Sequence, residues 1–285
     1  MTLKAYQSIL LQVPLNSSQN FSLICNLASH SSDIRQENLL KTMTRGISHY
    51  LQIKTAIFWI TLIQIIIYFT MLFYGGADIE SNKFLSIKSG VLYSFGEYFP
   101  YYIQRGHQYY RLITCCFLFS NLPQMVFFSG AQLFLGTFLE RKCGPLKLLL
   151  LFFLSGVLGN VSGSFFKSSG TVGSVSCAFG LLGAHIGILF GGWKNFVTPQ
   201  IARFQALSVG LITIFMLLIA LITSYHTNNA AILMALIYGV LAAYSVGGLV
   251  PIEDGTRKAC PLIFLIIFGV VSLTLFVFVI DQGLI

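Results

Sequence analysis

Long apolar runs separated by short polar connections dominate the chain after residue 54. A helix needs about 20 mostly apolar residues to cross the hydrocarbon core of a bilayer, and most of the runs reach that length. The runs are Ala56–Tyr74, Leu112–Leu139, Leu146–Phe166, Val172–Phe190, Ala206–Ile222, Ala230–Val250 and Leu262–Ile280. The pattern therefore predicts seven transmembrane helices, spans one to seven. The fifth run is the shortest, and its loss would leave an even number of spans.

Composition supports the same conclusion. Hydrophobic residues make up 55% of the 285 positions and charged residues only 9%, whereas soluble domains carry about 25% charged residues. The polar surface is too small to cover a water-soluble globule, so most of the chain faces lipid or a helix bundle in lipid. The net charge of +8 suits either nucleic acid or anionic lipid. The basic residues are scattered between apolar runs, which favours the lipid bilayer as the partner and predicts no nucleic acid.

The distribution of basic residues predicts the orientation and the domains. With the N-terminus in the cytosol, 12 of the 17 Lys and Arg residues lie on the cytosolic side and five on the outer side, as the positive-inside rule requires. We expect a loosely ordered cytosolic tail at 1–54 and a core at 55–250. A cytosolic loop and the seventh span follow at 251–285. The long first outer loop at 75–110 is rich in Phe and Tyr, so we expect it to lie at the membrane interface.

Small residues recur every four positions in three of the predicted spans. Such a ridge lets two helix backbones touch inside a membrane. The ridges are Ser155, Gly159 and Gly163 in span three, Ser176, Gly180 and Ala184 beside Gly183, Gly187 and Gly191 in span four, and Ala235, Gly239, Ala243 and Gly247 in span six. We therefore expect spans three, four and six to form the packed centre.

Five short motifs follow one another in a fixed order. They are Tyr110-Arg111 before span two, Glu140 and Gly144 in the next turn, Leu150–Asn160 in span three, Gly173–Gly187 in span four and Asn229–Gly239 in span six. Together they resemble the rhomboid superfamily of intramembrane serine proteases, in which Trp-Arg usually occupies the first position. The resemblance covers residues 106–248. It implies an all-α fold with a rhomboid-like six-helix core, to which the seventh span adds one C-terminal transmembrane helix.

The resemblance also implies where catalytic residues belong. Rhomboids use a Ser nucleophile on span four and a His base on span six. The nucleophile lies four residues before an aromatic-Gly pair, and counting back from Phe179-Gly180 gives Val175. The base lies seven residues before the Gly of its ridge, and counting back from Gly239 gives Ile232. Neither side chain has an atom that can attack a carbonyl or carry a proton.

The oxyanion positions of span two differ from the family in the same way. The positions where rhomboids usually have His fall on Phe119 and Gln124, and the usual Asn falls on Phe128. The packing motifs are present while the catalytic residues are replaced, so we expect no catalytic residue and interpret the chain as an inactive rhomboid, a pseudoprotease. No pair of its six cysteines has metal-ligand spacing, and we expect neither a metal nor a cofactor.

Two alternatives stay open at this point. Ser174 and Ser176 flank Val175, and a local bulge would bring Ser176 to the nucleophile position of an active serine-type endopeptidase. His185 and His226 are then the candidate bases. A transporter or channel is the second alternative, although the spans carry almost no charge away from their ends.

The resemblance implies a binding function for an inactive member. Inactive rhomboids bind client membrane proteins and control their trafficking or degradation. We therefore expect single-span membrane proteins as partners and the endoplasmic reticulum or Golgi, rather than the plasma membrane, as the location.

Overall fold

A computed structural model describes residues 55–76, 84–166, 170–191, 199–223, 227–245, 263, 265–274 and 276, without the side chains of 199–205 and 208. The predicted tail at 1–54 and the predicted cytosolic loop at 251–261 lie outside the described residues.

The described residues are helical apart from turns and loops. The helices are α1 Ala56–Gly75, α2 Ser89–Ser94, α3 Pro100–Gln104, α4 Arg111–Thr114, α5 Leu122–Cys143, α6 Pro145–Gly163, α7 Ser174–Gly191, α8 Pro199–Ile222, α9 Asn229–Ser245 and the segment α10, Leu265–Thr274. Among these residues the extended pairing is one antiparallel bridge between Tyr98 and Thr171. The predicted all-α class is confirmed.

The predicted spans one to seven correspond to α1, α5, α6, α7, α8, α9 and α10. Of the described helices, α1, α5, α6 and α7 are long and apolar enough to cross a bilayer by themselves. Shorter apolar helical stretches occur at Val209–Ile222, Asn229–Ser245 and Leu265–Thr274. The protein is an all-α integral membrane protein.

The predicted limits of span two were wrong. Its helix starts at Leu122 rather than Leu112, because the chain extends at Leu118 and Asn121 then caps a new helix. The Asn121 Oδ1 atom accepts a hydrogen bond from the Gln124 backbone N–H at 3.0 Å. Pro123, near the helix start, lacks the N–H that an internal helical position needs. The helix also continues through Glu140 to Cys143 and breaks only at Gly144, whose φ of +85° suits glycine.

Glu140 connects this turn to the first span. Its carboxylate accepts hydrogen bonds from the backbone N–H groups of Ala56 at 2.7 Å and Ile57 at 3.2 Å. These N–H groups open α1 and have no partner within their own helix. Glu140 therefore caps α1 with a negative charge, where the helix dipole favours one.

The centre of the bundle consists of α6, α7 and α9, as the small-residue ridges predict. The most extensive helix packing is α7 on α9, followed by α6 on α9 and α6 on α7. A Cβ atom added at Gly159 would lie 2.6 Å from the Ala235 Cβ atom, and one added at Gly239 would overlap the Gly180 carbonyl oxygen. The glycines thus allow backbones to touch, and the predicted packed centre is confirmed.

The seventh helix docks on this centre through hydroxyl groups. The Ser162 hydroxyl on α6 lies 2.7 Å from that of Ser272 on α10 and 3.0 Å from that of Tyr238 on α9. Near the C-terminal end of the seventh helix, the Gln104 amide of the first loop donates to the Phe276 carbonyl at 2.8 Å. The first loop and the end of the seventh helix therefore lie on the same side of the bundle, as seven alternating spans require.

Arg111 organises the first loop. Its Nη1 atom donates to the carbonyl oxygens of Tyr93 at 2.9 Å and Glu97 at 3.0 Å. Its guanidinium lies 4.4 Å from the centre of the Tyr93 ring and 5.7 Å from that of Tyr110. Arg111 is buried while Tyr110 is exposed, so the Tyr110-Arg111 motif is a structural anchor for the loop.

Candidate functional site

The positions assigned by resemblance to the nucleophile and the base lie at the same depth of the packed centre. Val175 is in the first turn of α7 and Ile232 is in the first turn of α9, and they are 1% and 3% exposed. The helices α7 and α9 run in the same direction, so residues at the same level keep a nearly constant sequence separation. The contacting pairs Gly183–Leu236 and Gly180–Gly239 are 53 and 59 positions apart, and Val175 and Ile232 are 57 positions apart. Both belong to one buried apolar cluster, so apolar side chains fill the two positions.

The two serines beside Val175 are already hydrogen-bonded. The Ser174 hydroxyl donates to the Leu118 carbonyl oxygen. The Ser176 hydroxyl donates to the Asn160 Oδ1 atom at 2.9 Å. Both serines are almost fully buried. Each hydroxyl proton points at an amide oxygen, which is too weak a base to remove it.

The candidate bases lie elsewhere or outside the described residues. His185 is nine residues after Ser176 on the same helix, which is about 13 Å along its axis. Its buried ring packs against Phe138, with ring centres 4.5 Å apart. His107 is exposed in the first loop, and His226 lies outside the described residues. Within the described part of the chain, no histidine is placed to take a proton from Ser174 or Ser176.

Asn160 is the polar centre of the site, and the sequence analysis missed its role. Its Nδ2 atom lies 3.8 Å from the Cys115 sulfur, opposite the bond from Ser176. A Cβ atom at Gly173 would lie 2.6 Å from the same Nδ2 atom. Glycine at position 173 therefore leaves room for the amide. A carboxamide within a transmembrane span is itself a signal for a functional or structural site, and that signal was present in the sequence.

The span-two positions that the resemblance assigns to oxyanion stabilisation hold buried rings or a hydrogen-bonded amide. Phe119 and Phe128 are fully buried, and the Phe128 ring packs on Phe179 with centres 6.0 Å apart. Gln124 is also fully buried. Its amide nitrogen donates to Thr223 after the end of α8, to the carbonyl oxygen at 3.0 Å and the hydroxyl at 3.1 Å. The polar group at this position thus connects two helices.

An apolar groove runs along the lipid-facing side of the site, between α5 and α8. Its volume is about 580 Å³. Phe127 and Phe215 meet edge to face across it, with ring centres 5.0 Å apart. The remaining lining residues are Val126, Phe128, Gly130, Ala131, Phe134, Leu211, Ile212 and Met216. The groove is open to the lipid phase and holds almost no polar group, so it suits an apolar side of another helix or a lipid chain.

A model of the rhomboid domain matches residues 106–248, half of the chain. The chain belongs to the rhomboid family. The matched range runs from the first loop to the end of α9, so the site described above lies within the rhomboid domain. The predicted family and its rhomboid-like helical fold are confirmed.

Rhomboid relatives of both kinds are similar to the chain. Inactive RHOMBOID-like protein 8 of Arabidopsis thaliana is 29% identical over 93 residues, 32% of this chain and 26% of that protein. Rhomboid-like protease 1 of Toxoplasma gondii is 29% identical over 161 residues, 56% of this chain and 53% of that protein. RHOMBOID-like protein 1 of Arabidopsis thaliana is 28% identical over 166 residues, 58% of this chain and 41% of that protein. The chain spans between about a quarter and about half the length of these relatives.

Proposed function

We propose that this rhomboid is a pseudoprotease that binds transmembrane helices of single-span client proteins. One observation supports the proposal: the two positions that the resemblance assigns to the nucleophile and the base hold Val175 and Ile232, which are buried among apolar side chains. Neither residue can support the attack and proton transfer by which a serine protease works. One of the similar relatives is itself named an inactive rhomboid-like protein.

The apolar groove between α5 and α8 supports the binding half of the proposal. Active rhomboids admit substrate helices between the corresponding spans, two and five. The groove is lined by side chains that match the apolar surface of a client helix. A client bound there is held without being cut, and we infer that this retention affects its trafficking or degradation. We place the protein in the endoplasmic reticulum or Golgi membrane.

An active protease with Ser176 as a displaced nucleophile is the second candidate. The observation that favours it is the 2.9 Å bond from Ser176 to Asn160, which orients the hydroxyl inside the bundle. An amide oxygen stabilises such a hydroxyl but has too little basicity to remove its proton. The displaced nucleophile therefore also needs a base supplied by residues beyond those that the structure describes.

Photo-crosslinking in native membranes tests client binding. A benzoyl-phenylalanine at Phe127, in the groove, should capture single-span proteins. The same residue at Phe69 on α1 is the matched control, because both phenylalanines are 41% exposed. Recovery of the same proteins in equal yield from both positions would contradict a client site in the groove. A serine-directed fluorophosphonate probe on the same membranes separates the pseudoprotease from the protease.

A further inference from the structure

Gln124 connects α5 to the end of α8 through a fully satisfied amide. Its Oε1 atom accepts from the Ser120 backbone N–H at 3.1 Å and from the Ser120 hydroxyl at 2.7 Å. Its Nε2 atom donates to the carbonyl oxygen and the hydroxyl of Thr223. Gln124 is 0% exposed and Thr223 is 4% exposed. The Ser120 bonds hold the amide in one orientation, with its nitrogen directed at α8.

The bond lies just beyond one end of the apolar groove. Gln124 is in the first turn of α5, and the groove residues on this helix start at Val126. Thr223 follows the last residue of α8, and the groove residues on that helix end at Met216, about two turns earlier. The Gln124–Thr223 pair therefore joins the two walls of the groove at the end where α5 begins and α8 finishes.

The wall formed by α8 is the more weakly held one. This helix packs on α5 and α7 much less extensively than α7 packs on α9. Several of its large side chains, among them Leu211, Leu218 and Leu221, are at least half exposed. Two polar bonds at one end add to this limited packing and help to fix the distance of α8 from α5.

We propose that Gln124 and Thr223 form a latch that sets the width of the groove. The latch determines how readily a client helix enters, and it gives a binding role to a span-two position that the resemblance assigns to oxyanion stabilisation. The proposal rests on the proposed function only in taking the groove as the client site. Opening the latch breaks the bonds of an amide that is fully buried, and a buried polar group without a partner is costly, so the closed form is favoured until a client occupies the groove.

The expected shift between the closed and open groove follows from the free energies of hydrogen bonds between membrane helices. Loss of one such bond changes an equilibrium by about 3-fold on average and by up to about 20-fold. Thr223→Val keeps the branched shape and removes the hydroxyl acceptor, whereas Gln124→Met removes both bonds. Thr213→Val is the matched control, since that hydroxyl donates within α8 to the Val209 carbonyl at 2.7 Å.

Spin-label distances in liposomes test the latch without a client. Labels at Val126 and Leu218, which are 52% and 50% exposed, report the separation of α5 and α8 after the reactive native cysteines have been replaced. Thr223→Val should increase the population of longer distances about 3- to 20-fold, and Gln124→Met should do so at least as strongly. Thr213→Val should leave the distribution unchanged. If Gln124→Met fails to fold, Thr223→Val against Thr213→Val decides the question.

An unchanged distribution in Thr223→Val, or the same widening in Thr213→Val, would overturn the latch. A second arm adds a synthetic 20-leucine transmembrane peptide and measures its crosslinking to a benzoyl-phenylalanine at Phe127. A rise in crosslinking with the widened distance supports the latch as a gate for client helices. Widened distances without any peptide capture leave the latch in place and contradict the proposed client site instead.

Discussion

Replacing Gly239 with alanine places a methyl group against the backbone of a neighbouring helix. A Cβ atom at this position overlaps the Gly180 carbonyl oxygen and lies 2.9 Å from its carbon and 3.1 Å from the Ala184 nitrogen. A side chain in the way can change rotamer, but these are backbone atoms in the most closely packed helix pair. The two helices must therefore separate, and the contacts on either side of position 239 are lost as well.

The expected loss of stability is obtained by comparison with Gly210→Ala on α8, where an added Cβ atom meets nothing within 4 Å. Alanine favours a helix over glycine by about 1 kcal/mol at either position, so this contribution cancels between the two variants. The remaining difference is the overpacking cost, which is about 1–3 kcal/mol and is expected near the upper end because the obstacle is backbone. The larger Gly239→Leu and Gly159→Leu variants should fail to accumulate as folded protein.

Reversible unfolding in mixed detergent and dodecyl sulfate micelles measures this difference. We expect Gly239→Ala to lower the free energy of unfolding relative to Gly210→Ala by at least about 1 kcal/mol. Equal stability of the two alanine variants would refute the backbone contact between α7 and α9. Normal folding and expression of both leucine variants would refute the small-residue packing as a whole.

Three further predictions concern the anchors and the orientation. Glu140→Gln should destabilise the protein by about 0.5–2 kcal/mol in the same unfolding assay, because the cap of α1 loses its charge and one acceptor; unchanged stability would argue against the cap. Arg111→Lys should cost about 1–3 kcal/mol, since lysine cannot reproduce the planar contacts with Tyr93, while exposed Arg105→Lys should change stability by less than about 0.5 kcal/mol; equal effects would contradict the anchor. Glycosylation reporters fused at either end should be modified only at the C-terminus, and modification of the N-terminal reporter would reverse the predicted orientation.

Much of the fold could be predicted from periodic patterns in the sequence. The apolar runs locate the seven predicted spans but not the short helices α2, α3 and α4. The small residues at intervals of four identify α6, α7 and α9 as the centre, because close approach requires small residues at that spacing. The start of α5 could not be predicted in the same way. The run from Leu112 stays mostly apolar on both sides of Ser120 and Asn121, so hydrophobicity alone does not mark the break at Leu118, which depends on capping by Asn121.

The polar contacts of the site are long-range, so local pattern does not reveal them. Gln124 and Thr223 are 99 positions apart, and Glu140 caps a helix that starts 84 positions earlier. The family resemblance indicates that position 124 matters, but only the structure places its amide against α8. Val175 and Ile232 could be named from motif spacing, and their roles stay a prediction until activity is measured.

Labelling of the wild-type protein by a fluorophosphonate probe, with cleavage of a model transmembrane substrate in the same liposomes, tests the central claim most directly. An active rhomboid in parallel liposomes shows that probe and substrate work. The account predicts no labelling and no cleavage, with Ser174→Ala and Ser176→Ala indistinguishable from the wild type, because no histidine among the described residues is placed to activate either hydroxyl. Labelling and cleavage by the wild type that disappear in Ser176→Ala would contradict the account and identify a nucleophile displaced by one residue from Val175.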